Sequence, residues 1–123
     1  MRLFFVISAI GEIGIGIALM AMPEMLATML VGASLESFGG VFVARLAGAA
    51  LISLGIICLL GSFDADSRAA QAIAAGMLFY NIAAAALLVY ARIGADMSGV
   101  GLVPAAVIHA LLAIYCVVCL RYS

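Results

Sequence analysis

Four side chains in this sequence interrupt runs that are otherwise apolar: Glu12, Arg45, Asn81 and His109. An ionisable group at membrane depth costs a few kcal/mol, so each should face a protein interior and find a partner there. If they converge, a carboxyl, a guanidinium, a carboxamide and an imidazole make a site for a small molecule, a lipid or quinone head group, or a proton. The same four can also satisfy one another without a ligand. Glu12 would then neutralise Arg45, and Asn81 and His109 would bond each other or backbone carbonyls. The sequence leaves both readings open. His109 is also a candidate ligand for haem or a chlorophyll magnesium, without a second axial partner or an attachment motif. No cofactor is specified. Cys116-x-x-Cys119 has redox spacing but lies inside an apolar run, where Cys at i and i+3 is ordinary packing; Cys58 falls at a similar depth. There is no zinc-ligand spacing, phosphate loop or nucleophile elbow. The residues therefore point to a non-enzymatic protein.

The elements that hold these residues follow from composition. The chain has 123 residues, of which 69% are hydrophobic and 9% charged. A soluble domain carries about 25% charged residues. The formal net charge of −1 gives no attraction to nucleic acid. An integral membrane protein remains. A spanning helix needs roughly 20 apolar residues, and four stretches qualify: about 3–22, 41–60, 69–90 and 102–120. Glu12 interrupts the first, and no small-x-small cleavage site follows, so it reads as a retained span and not a signal peptide. Pro23 and Pro104 suit helix starts. Residues 24–31 pair apolar side chains at helical spacing and read as an interfacial helix, either a linker or a lid over a cavity. Asp66 or Ser67 suits the N-cap of the third span. The predicted fold is an all-α integral membrane four-helix bundle forming a single domain over 1–123.

Small residues let helices approach in lipid. Gly11, Gly14, Ala18 and Ala21 share one face of the first span, and Ala44, Gly48 and Gly55 form a groove on the second. Phe4, Phe5, Tyr80, Tyr90, Tyr115 and Tyr122 read as interface anchors. Arg2, Arg68 and Arg121 fall on one side and Arg92 on the other, which favours cytoplasmic termini. At 1.5 Å per residue, Glu12 and Asn81 lie near mid-membrane, with Arg45 and His109 nearer the outer surface. Arg45 would reach down toward Glu12.

Two families are similar. The opening helix running into "AMPEMLATMLVG", the segment "VARLAGAALISLGIICLL" with Arg45, Gly48 and Gly55, and the closing "VIHALLAIYCVVCL" with His109 resemble the small DoxX-like bacterial membrane proteins of four helices. That resemblance implies a bacterial inner-membrane bundle associated with respiratory or quinone-linked complexes. "AIGEIGIGIALM" around Glu12 resembles the first helix of the small multidrug-resistance transporters, whose mid-helix Glu binds protons and cationic drug in turn. Against that likeness, the third span has no Trp, and Arg45 would repel a cation and compete for Glu12. The leading expectation is an accessory subunit of a larger membrane complex, or a small binder of lipophilic ligands. The alternatives are a proton-coupled small transporter using Glu12 and a quinone-linked oxidoreductase component. The expected partners are the lipid bilayer and a larger membrane complex or a homo-oligomer, with no nucleic acid.

Overall fold

The computed structural model describes residues 1–122. Five α-helices follow one another: α1 (Arg2–Ala21), α2 (Pro23–Val31), α3 (Phe38–Gly61), α4 (Arg68–Ile93) and α5 (Leu102–Arg121), with one 3₁₀ turn at Ser62–Asp64. No strand occurs among the described residues. α1, α3, α4 and α5 are long and apolar enough to cross a membrane. Their outer faces carry exposed Ile10, Leu46, Phe79, Leu87 and Ile114, among many others. Such a surface requires lipid, because the exposed apolar patch far exceeds what a soluble monomer tolerates. The chain is an integral membrane protein in contact with the bilayer.

Local signals set the helix ends. Ser67 starts α4, its Oγ accepting from Ala70 N at 3.1 Å; Ser37 starts α3 in the same way, accepting from Gly40 N at 3.0 Å. Pro23 opens α2, where its missing N–H costs no bond, and Gly32 closes it in the left-handed region at φ 76°.

The four spans form two closely packed antiparallel pairs, α1 with α3 and α4 with α5, and the pairs touch each other far less than their members do. In the first pair Gly16 lies against Gly48: a Cβ on Gly16 would stand 2.6 Å from Gly48 O, and one on Gly48 would stand 2.7 Å from Gly16 O. Gly55 lies equally close to Ala9 and Ile13. The groove predicted on α3 is therefore used, but its counterpart on α1 is not the predicted one. Gly11 and Gly14 are exposed, and a Cβ on either meets nothing within 4 Å. The partner face of α1 is a different stripe, with Ala9, Ile13 and Gly16 on it.

The buried core is off centre. Phe4, Phe5, Cys58, Ala70, Ala74, Met77, Cys116 and Cys119 form one cluster, with Met1 and Leu120 packed against it. The start of α1, the end of α5 and the α3–α4 connection therefore share one end of the bundle. Phe4 and Phe5 are core residues and not interface anchors: both are fully buried, and Phe4 meets Tyr115 edge-on at 5.8 Å between ring centroids. At the opposite end, α2 lies against the α4–α5 loop. Gly101 N donates to Met29 O at 2.7 Å, and Gly99 approaches the Leu30 backbone so closely that a side chain there would overlap it.

Candidate functional site

Three of the four predicted polar residues lie at mid-span and are linked through Tyr80. Glu12, Asn81 and His109 lie within about three residues of the centres of α1, α4 and α5, or about 5 Å at 1.5 Å per residue. Glu12 is only 6% exposed, and Tyr80 Oη donates to its Oε2 at 3.2 Å. This bond ties the α1–α3 pair to the α4–α5 pair. Tyr80 in turn stands edge-on to the His109 ring, 5.5 Å between centroids. His109 Nδ1 lies 2.9 Å from Asn81 Oδ1, and Asn81 Nδ2 donates to Met77 O at 2.8 Å.

The Asn81 bonds fix the histidine tautomer. With its NH₂ spent on a carbonyl, Asn81 offers only its oxygen to the ring, so Nδ1 carries the hydrogen and donates. In the neutral ring Nε2 is then the nitrogen with a free lone pair, able to accept a hydrogen bond or a proton, or to ligate a metal. Among the described residues, no group of three His, Cys, Asp or Glu side chains is placed to hold a metal ion. Ser8, one turn from Glu12 on α1, is 2% exposed, and its Oγ has no hydrogen-bond partner. A buried hydroxyl left unpaired costs about 1–3 kcal/mol, so it marks capacity for one more polar contact on this face of α1.

Arg45 does not join them. In the antiparallel pair Gly16 faces Gly48, so Arg45 stands about seven residues beyond Glu12, roughly 10 Å along the bundle. It is exposed, and it lines a cleft at the α1–α2 turn together with Glu24. The only ion pair among the described residues is Arg92–Asp96 at 3.7 Å, an exposed i,i+4 contact of little energetic weight. The pairing of Glu12 with Arg45 is replaced by Glu12 with Tyr80. Sequence reasoning read Tyr80 as an interface anchor. The available signal was its position beside Asn81, mid-way along α4, where a phenol oxygen needs a partner.

The three cysteines form no disulfide among the described residues and are buried in the terminal core. Cys116 Sγ donates to Ala74 O at 3.1 Å, which ties α5 to α4 as packing would. A second cleft, about 470 Å³ between α4 and α5, is lined by small and apolar residues such as Ala85, Leu88 and Ala106, with Arg92 at its edge. Neither cleft is lined by Glu12, Tyr80, Asn81 or His109. Comparison with protein-family models, with curated proteins and with solved structures gives no match.

Proposed function

We propose that this chain is a small proton-linked carrier of lipophilic cations, with Glu12 as the group that takes either the proton or the cation. One observation supports the reading most: a carboxyl at mid-span, 6% exposed, which among the described residues has one hydrogen bond, from a neutral phenol, and no ion pair. A carboxylate in so apolar a place needs a positive charge or a proton. Either satisfies it, and the two exclude each other, which is the condition for coupling. Because Arg45 stands apart, it does not compete for the carboxyl. Neither cleft reaches Glu12, so a cation must displace Tyr80 and part the two helix pairs. The likeness of "AIGEIGIGIALM" to the first helix of the small multidrug-resistance transporters agrees with this role. The Arg distribution favours cytoplasmic termini, and the DoxX-like resemblance points to a bacterial inner membrane.

A second reading, an accessory subunit of a larger membrane complex, is favoured by Gly11, Gly14 and Gly76. A Cβ on any of these meets nothing, so another protein's helix has room to come close. The DoxX-like resemblance points the same way and is the sole support for a quinone-linked role.

Proton release from purified protein in weakly buffered detergent, on adding tetraphenylphosphonium, tests the carrier reading. Up to one proton per chain should appear, and none in Glu12→Gln, whose carboxamide oxygen still accepts from Tyr80. Binding without proton release, or release that persists in Glu12→Gln, sinks it. Stoichiometric co-purification of larger subunits would favour the accessory reading instead.

A further inference from the structure

We infer that the cleft at the α1–α2 turn seats the headgroup of a phosphatidylethanolamine lipid, with the phosphate on Arg45 and the ammonium on Glu24. The cleft is open on one side and holds about 380 Å³ between the end of α1, the start of α2 and the first turns of α3. Arg45 and Glu24 both line it, with Met22 and Val41 beside them. The two charges do not neutralise each other, since among the described residues neither belongs to an ion pair within 4 Å. Opposite charges that line a common cleft without pairing suit a ligand that carries both charges.

Depth argues for a lipid as the source. Arg45 lies seven residues into α3, whose 24 residues span about 36 Å against a hydrocarbon core of about 30 Å. It therefore starts several Å inside the apolar layer. A guanidinium there is costly unless it extends to the headgroup level and meets an anion. Lipid phosphate is the abundant anion at that level, and the guanidinium fork matches it in bidentate fashion. A lipid with phosphate as its only charge would face repulsion from Glu24. A headgroup that also carries a cation would not. A primary ammonium donates hydrogen bonds to the Glu24 carboxylate, whereas a quaternary choline has no N–H to give. Met22 and Val41 offer apolar contact to the glycerol and upper acyl chain.

Native mass spectrometry of the full chain in mild detergent tests this. The protein is mixed with equimolar phosphatidylethanolamine, phosphatidylglycerol and phosphatidylcholine of identical acyl chains. Phosphatidylethanolamine should be retained about tenfold over phosphatidylglycerol, and should also exceed phosphatidylcholine. Arg45→Gln, at an exposed position, should abolish that retention. Glu24→Gln should remove the preference by raising phosphatidylglycerol, a gain that no misfolded variant would show. Excess free O-phosphoethanolamine should not displace the lipid. Equal retention of the lipids by the unaltered protein, or an unchanged preference in Glu24→Gln, overturns the assignment. Displacement by free O-phosphoethanolamine overturns the lipid as the source.

Discussion

Tyr80 is the side chain through which the two helix pairs communicate at mid-span. Its hydroxyl donates 3.2 Å to Glu12 on one pair, while its ring stands on His109 in the other. Polar contacts between membrane helices average about 0.6 kcal/mol and reach about 1.7. Tyr80→Phe removes the donor, keeps the ring, and leaves a 6%-exposed carboxyl without its bond. The expected loss lies at the upper end of that range, about 1–2 kcal/mol, with Glu12→Gln costing less because its amide oxygen still accepts. Thermal unfolding in detergent measures both. A Tyr80→Phe protein as stable as the parent would mean that the bond carries no weight. These roles were only partly legible in the sequence. Glu12, Asn81 and His109 announce themselves as polar interruptions of apolar runs. That Tyr80 and not Arg45 would reach Glu12 depends on how α1 is offset along α3 and rotated against α4, and no single-helix periodicity contains those quantities.

At the scale of the elements, glycine position matters more than glycine number. The four spans can be read from apolar length alone, and the Ser67 cap from its residue type. Small residues alone do not decide the face of α1 that packs, because Gly11 and Gly14 carry the same signal as Gly16 and only the neighbouring helix distinguishes them. A Cβ on Gly16 would stand 2.6 Å from Gly48 O and 2.9 Å from Ile52 N, both backbone atoms that cannot move without parting the helices. Gly16→Ala should therefore destabilise by about 1–3 kcal/mol, as overpacking does. Gly14→Ala, in open space, should be neutral or slightly favourable, within about 0.5 kcal/mol. Paired melting curves decide it. Equal effects would mean that the α1–α3 crossing is not so tight.

The whole molecule is held at its two ends by different means. One end has the shared core of Phe4, Phe5, Cys58, Met77 and Cys116. The other has α2 laid against the α4–α5 loop through the Gly101–Met29 hydrogen bond and the close approach of Gly99 to Leu30. Between them the helix pairs touch little, and the polar cluster sits in that interval. Any access to Glu12 and His109 should therefore begin at the α2 end, where these two backbone contacts stand in for a core of large side chains. Gly99→Ala places a methyl group against the Leu30 backbone and should loosen that end alone. Two native reporters separate the ends. The single histidine, His109, is half-buried near the interval, and Cys58, Cys116 and Cys119 lie in the terminal core. In Gly99→Ala, modification of His109 by diethyl pyrocarbonate should accelerate several-fold, while maleimide labelling of the cysteines should stay slow. If both speed up together, the bundle opens as one unit and α2 is no separate fastening. If neither changes, the contact at Gly99 does not hold the pairs closed.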